Sequence, residues 1–474
     1  GDLNVVGDQL GTDTLTLQNL GTLSLFTGNQ VRLNLTNLGL NPGGTYELIS
    51  APGGGLTTGA LGVGDWILGN RPGGFTFIDM TATDTSIFIT VGSEVTGTTY
   101  WRGALGGGVD NTWNASATNW SQDKAGTIAA VTTPGQGMDV IFQWDAPNGN
   151  PVVTTLDQNF KVKTLTFEDA TTLANTASSI TIDPGSLATN RLEIAPAAAT
   201  DGIRLATTNA TAATISGPVR LGADQTWDVV NAGSTLSLGS LLGGADVTKT
   251  GPGKVTLTAA ADPTSNSGMT VHLAINAGTV ELTNSAALGN AVNSNLANVA
   301  LNPGGAFYYN GAASTVANPI AFNGGTLSAG TANQTYSGAI TMNANSVINM
   351  RDMNAATGTT ARNITLSGII TGGGGITLDS STTVSAGNQI AGTLTLNNNN
   401  NTWTGPLNIL RGTVITTQPN ALTTGDITIS LGKIEWQGPS NPTYTVANNI
   451  TIGDAAANAI GELQVNATGT VTTP

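Results

Sequence analysis

Residues 251–289 read GPGKVTLTAAADPTSNSGMTVHLAINAGTVELTNSAALG, and residues 392–425 read GTLTLNNNNNTWTGPLNILRGTVITTQPNALTTG. Both stretches alternate small apolar residues with Thr, Ser or Asn, break at Gly or Asn, and alternate again. A period of two marks a strand with one buried face. Neither stretch sets an acid, a base and a nucleophile at a spacing that catalysis uses. The two also match each other. GKVTLTAA from Gly253 answers GTLTLNNN from Gly392, INAGTVEL around Gly278 answers ILRGTVIT around Gly412, and STVANPIAF around Thr315 answers YTVANNITI around Thr445. The offsets are 139, 134 and 130 residues, a shrinkage that small loop deletions produce. Repetition of strand-sized segments is the mark of a solenoid, in which a repeat buries its apolar face only by stacking on its neighbour.

The alternation extends over the whole chain. It is clear at residues 13–26, 31–38, 86–91, 161–168, 234–239, 254–259, 279–282, 392–397 and 426–430. Gly, Asn, Asp and Pro punctuate these runs, because they accept turn dihedrals. Residues 284–300 are the best helix candidate, but their Gly and many Asn equally fit a loop.

The composition agrees. Of 474 residues 63 are Gly, and charged residues make up 9% against about 25% in an average domain. Hydrophobic residues reach 39%, and Thr, Asn and Ser fill much of the rest, a mixture that suits pleated strands better than helices. The net charge of −14 leaves no basic stripe to neutralise phosphates, which argues against a nucleic-acid partner. There is no Cys and one His, His272, so disulfides, Cys-type zinc sites and multi-His metal sites are excluded and a His-based triad is disfavoured. No run of 18 or more apolar residues occurs, so no membrane-spanning helix is expected. No leader-like segment is read at the start, which opens at Gly1, as a processed chain would.

These observations predict an all-β chain: a right-handed parallel β-helix, or solenoid, with a smaller N-terminal β domain. Residues 1–98 form the N-terminal part, 99–125 a Trp- and Gly-rich connector, and 126–474 the β-helix. Its duplicated unit covers about 242–367 and 368–474. Each rung is expected to take roughly 20 residues, with Leu, Ile and Val inward and Thr, Ser and Asn outward. The Asn-rich turn at 397–403 is expected to stack as a side-chain ladder.

The order of motifs resembles the autotransporter-associated β-strand repeat proteins of bacterial surfaces. Trp101, Gly103, Trp113, Asn119 and Trp120 match that family's opener. DVIF at 139–142, VKTLTFED at 162–169 and DQTWDV at 224–229 follow in the family's order. VTKTGPGKVTLTA at 247–259 is similar to its LTKTGxGTLTLSG core, and INAGTVELTNSAALG at 275–289 to its continuation. In the second copy ITLDSS stands where LTKTG belongs. The resemblance covers about 100–470, and the first 98 residues resemble the closing segment of such an array. It implies a passenger-type β-helix, a secreted, extracellular or cell-surface location, and no catalytic residues.

Candidate sites are few. Trp101, Trp113 and Trp120 either stack on the sugars of a surface polysaccharide or plug the first rung or an interdomain contact. Asp110, Asp123 and Asp139 lack calcium-loop spacing. Asp183, Glu193, Asp201, Arg204 and Arg220 form the densest charge group, and Arg351 with Asp352 another; an enzyme of the polysaccharide-degrading kind would need such groups on one groove. Sparse charge makes the chain non-enzymatic in this reading, with no cofactor and no metal. His272 reads as a strand residue. The Gly-rich stretches at 59–64 and 372–375 lack the Lys-Ser/Thr and helix of a phosphate loop and read as turns.

Both ends fall within the alternation. Asp2, Leu3 and Val5 at one end, and Leu463, Val465 and Val471 at the other, are the candidate polymerisation ends, since an uncapped solenoid leaves strand edges that recruit another chain. The expected function is a structural subunit of an extracellular bacterial filament, its partner a copy of itself; the alternative is an adhesin or glycan-binding surface protein.

Overall fold

The computed structural model describes residues 2–5, 15–16, 31–35, 41–54, 56–57, 66–68, 73–103, 111–113, 119–144, 152–169, 179–197, 200–261, 272–289, 298–352, 362–379, 392–437, 444–445, 448–453, 461–465 and 471–472. Among these residues there is no α-helix. Two large sheets, of 12 and 18 strands, are built on parallel pairing, and smaller sheets accompany them. The fold is a β-helix with a smaller antiparallel sheet. The chain forms two compact units, Gly1–Ile203 with Thr214–Ala223, and Arg204–Ala213 with Asp224–Pro474.

In the first unit, Thr45–Ser50 and Ile78–Ala82 flank Ser86–Val91 in antiparallel pairs. Asp2–Val5, Val31–Leu35 and Trp66–Leu68 pair in parallel. Leu33, Ile49, Leu56, Trp66, Ile87 and Ile89 share their core. The Trp66 Nε1 donates to the Leu56 carbonyl at 2.8 Å, so its polar edge is satisfied inside that core. Further along the unit, described strands stack in parallel as in a β-helix. Met138–Trp144 lies on Thr164–Asp169, Val152–Thr155 on Ser179–Asp183, and Phe160–Val162 on Leu192–Ile194. The run at 161–168, read from sequence as one strand, is split at Lys163, where Lys163 N bonds to Met138 O and the chain turns onto the next face.

The second unit repeats a rung of three strands. Ile320–Phe322, Thr326–Ala329 and Gln334–Tyr336 make one rung; Ile340–Met342, Ser346–Asp352 and Asn363–Leu366 stack on it strand for strand. Inward positions form columns. Leu327, Ile348, Leu378, Ile409 and Ile429 succeed one another in register, each buried. Ile364, Leu394, Val414 and Ile434 form another. Full burial of each such side chain contributes about 1.5–3 kcal/mol. The expected rung of roughly 20 residues is corrected here. Successive members of the first column lie 21, 30, 31 and 20 residues apart. The ladder fixes strand register, while the connections absorb the extra length. In the last rungs two faces merge: Leu407–Thr416 and Ile427–Trp436 are ten-residue strands that bend around the corner at Arg411–Gly412 and Leu431–Gly432 while staying paired.

Polar side chains knit the rungs together at their corners. The amide Nδ2 of Asn302 donates to Asn276 Oδ1 at 2.6 Å, Asn323 to Asn302 at 2.8 Å, and Asn343 to Asn323 at 2.8 Å. An Asn donates through its Nδ2 and accepts through its Oδ1, so one side chain can bridge to the rung on either side. The run at 397–401 bridges rungs, but not as the expected side-chain ladder: Asn398 Nδ2 donates to Ser367 O and Asn401 Nδ2 to Ala421 O on the main chain, while Thr417 Oγ1 donates to Asn397 Oδ1. The candidate helix at 284–300 is corrected: its described parts are a turn to Gly289 and the strand Asn298–Leu301.

Candidate functional site

The three Trp of the opener converge in the first unit. Trp101 ends the strand Gly97–Trp101, and Trp120 starts the short strand paired antiparallel with it. The Trp101 and Trp120 rings meet edge-on at 4.9 Å, and those of Trp113 and Trp120 at 5.1 Å. Phe142 stacks on Trp101 at 5.6 Å and on Phe167 of the next rung at 5.7 Å. Trp101, Trp113 and Trp120 are 3%, 0% and 0% exposed. Sugar-stacking needs an open ring face, and buried rings offer none. The sugar-contact expectation is therefore corrected: the cluster is an internal plug that places large apolar area over the Phe column.

A buried Lys is the feature that sequence reasoning missed. Lys249 lies in register between Trp227 and Ile275 and is 0% exposed. Its Nζ donates to the carbonyls of Thr250 at 2.5 Å, Gly251 at 2.7 Å and Ala277 at 3.2 Å. These carbonyls come from turns on two successive rungs. The turns approach closely because Gly278 takes a φ of 68° and has no Cβ; one there would lie 2.5 Å from the Gly251 oxygen. Burial pushes the Lys249 amine down to about 8, while the charge of Asp228 pulls the other way. A signal was present: Lys249 shares the parity of inward Val247 in the strand Val247–Thr250.

A pH dependence follows. The ordinary value is 10.5 and the folded value about 8. Below 8 the amine is charged in both states, and the folded state carries the cost of its burial. Between the two values the unfolded chain holds a proton that the folded chain has released, so stability rises with pH. Relative to Lys249→Met, the native protein gains up to about 3 kcal/mol between pH 8 and 10.5. Urea titrations across that range check it; parallel curves for the two proteins refute it.

The sequence's charge clusters disperse into structural contacts. Glu193 sits in register between Lys161 and Arg220, at 3.2 and 3.6 Å. Arg204 reaches Asp228 at 3.3 Å, and Asp183 accepts from Ser216 Oγ. Asp139 takes Lys163 at 3.1 Å and Thr164 at 2.8 Å. Asp123 accepts from Ser121 and Thr127 hydroxyls and the Ile128 amide. Buried Glu281 takes Lys254 at 2.6 Å, Thr256 at 3.1 Å and Asn310. Burial raises its carboxyl, but these donors outweigh burial and hold it below the usual range. Exposed His272 lies at the start of its strand, where its amide donates to Asp246 Oδ1 at 3.0 Å. The side chains of Arg351 and Asp352, with Asp110 and residues 59–64, lie outside the described residues. Gly372 and Gly375 are turn residues: Gly372 has φ 102°, and the Gly375 amide donates to Asn345 Oδ1.

Among the described residues no three His, Cys, Asp or Glu gather as a metal site, and no helix is long and apolar enough to cross a membrane. A shallow depression lined by Gly73, Phe75, Pro134, Gln136, Asn159, Phe160 and Lys161 opens to solvent and has room for little more than a water molecule.

The last described rung differs from those before it. Ile450–Ile452 and Glu462–Val465 both pair with Ile427–Trp436. Ile452 continues the column of Ile429, and Leu463 that of Ile434, both fully buried. Yet Ile452 is 46% exposed and Leu463 43%. Val465 lies in the same strand as Leu463, and Val471 in Val471–Thr472, which pairs with Tyr444–Thr445. Asp2, Leu3 and Val5 lie on Asp2–Val5, the first strand of its three-stranded sheet. Side chains of residues 2–5, 465 and 471 lie outside the described set.

No protein-family model matches the chain, and no curated protein or solved structure matches it either.

Proposed function

We propose that this chain is a non-enzymatic structural subunit of an extracellular fibre on a bacterial surface, assembled head to tail by stacking of β-helix rungs. The exposure of Ile452 and Leu463 carries the reading, because their register equivalents one rung earlier are buried. A further rung would take both residues out of water, at about 25 cal/mol per Å² of apolar surface. Parallel strand edges supply the backbone donors and acceptors for it. The scarcity of charge and the absence of Cys fit a secreted solenoid, as does the resemblance to autotransporter-associated repeats, which is also what supports the location.

Negative-stain microscopy of the native protein tests the proposal. Filaments are expected, and Leu463→Asp is expected to convert them to separate particles while leaving the circular dichroism spectrum unchanged. Separate particles from the native protein at every concentration would overturn it.

A further inference from the structure

Glu281 joins three successive rungs. Lys254–Leu257, Gly278–Leu282 and Gly305–Tyr309 pair in parallel, with Glu281 in register between Thr256 and Tyr308. Its Oε2 takes the Lys254 ammonium at 2.6 Å and the Thr256 hydroxyl at 3.1 Å, and its Oε1 accepts from Asn310 Nδ2. On the other side of the Asn310 amide, Thr331 Oγ1 donates to Oδ1 at 3.0 Å. The residue that follows is Gly311. A Cβ there would lie 2.1 Å from the hydroxyl oxygen of buried Tyr309, so the position favours glycine. The Gly311 amide nitrogen is therefore shielded by no side chain of its own, and it has no hydrogen-bond partner among the described residues.

We propose that Asn310 is a site of spontaneous deamidation, at which the fold itself activates the side-chain amide. The Gly311 nitrogen attacks Cγ of Asn310, the Cγ–Nδ2 bond breaks, and a succinimide forms with release of ammonia. Water then opens the ring to an aspartate or isoaspartate at position 310. The contacts fall on the atoms whose charge changes. Negative charge grows on Oδ1, where the Thr331 hydroxyl donates. The leaving Nδ2 needs a proton, and Glu281 carries one to it from Lys254 Nζ, while the proton lost by Gly311 N returns to Lys254 through water. The pair Asn323–Gly324 has neither aid. Its Oδ1 accepts from Asn343 and its Nδ2 donates to Asn302, both neutral amides, and the Gly324 amide already donates to Ser346 Oγ at 3.0 Å. Conversion of Asn310 has a structural consequence. A donor to buried Glu281 is replaced by a second carboxylate, and two acids sharing one site do not both stay ionised without cost. The clasp across three rungs becomes a point of repulsion, so the second unit weakens there with age, in separate particles and fibres alike.

Incubation of the folded protein at mildly alkaline pH, followed by peptide mass spectrometry, tests the site. Exchange of NH2 for OH at position 310, with isoaspartate among the products, is expected at least about fivefold faster than at Asn323. In urea, where both are plain Asn–Gly pairs, the two rates are expected to converge. Thr331→Val, at an exposed position, is expected to slow conversion at 310 by about fivefold, the worth of one hydrogen bond, and to leave Asn323 unchanged. An Asn310 that stays intact in the folded protein, or converts no faster than Asn323, would overturn the proposal. An unaltered rate in Thr331→Val would overturn the activation by the fold. Asn310→Asp carries the product's carboxylate directly: a lower thermal midpoint than that of the native protein is expected, and an equal one would overturn the weakening.

Discussion

Trp120→Ala destabilises the first unit by about 4 kcal/mol, from the range for removing a large buried aromatic. Trp120 is fully buried, with rings of Trp101, Trp113 and Phe142 within 4.9–6.1 Å and an Nε1 bond to the Trp113 carbonyl at 3.1 Å. Truncation removes that bond and leaves a void among side chains attached to different strands, which cannot all move inward together. The carbonyl of Trp113 loses a donor at the same time. Trp113→Phe provides the contrast. Its indole Nε1 has no partner among the described residues, so replacing it forfeits packing area but no hydrogen bond, and the cost stays near 1 kcal/mol. Guanidinium unfolding followed by circular dichroism measures both. Equal costs would mean that the plug is not closed around Trp120.

Ile409→Asp has a still larger effect: the second unit loses cooperative folding. Ile409 sits between Leu378 and Ile429 in the buried column. A carboxylate there has no cation in register above or below it. It either stays charged in an apolar interior or takes up a proton, and either route costs several kcal/mol. Neighbouring rungs share the damage, since each buries its inner face on the next. Asn408→Asp, one residue away but half-buried on the alternate face, changes stability by about 0.5 kcal/mol or less. Thermal unfolding of the pair, side by side, reads out the alternation directly; similar midpoints would refute the assignment of faces.

Much of this architecture was legible because a solenoid writes its core locally. SIFITV reads as a strand and is one, Ser86–Val91, with every second residue buried. The same holds for Thr393–Leu396. The Asn-rich turn declared itself as a turn, but not that its amides reach the main-chain carbonyls of neighbouring rungs. Three things were not legible. Alternation states that a strand has an inner face but not where the chain bends, so the bend at Lys163 was invisible. Rung length depends on connections whose residues carry no periodic signal. The fate of Trp101, Trp113 and Trp120 depends on residues far along the chain, Phe142, Phe160 and Phe167, that approach only on folding. Lys249 was readable by parity, but a cation at an inward position is so costly alone that its carbonyl partners had to be seen.

The uneven spacing of the columns, 20 residues in one step and 31 in another without loss of register, separates two kinds of inheritance. The strands are a strict grammar, because one misplaced residue there inverts a face. The connections are free text. A gene for such a chain can gain or shed segments of about ten residues at a corner and still specify the same strand register, since the entropy of closing a longer loop grows only slowly with its length. Peptide epitopes, protease sites or affinity tags grafted at those corners would then be displayed at regular intervals, with the scaffold beneath them unaltered.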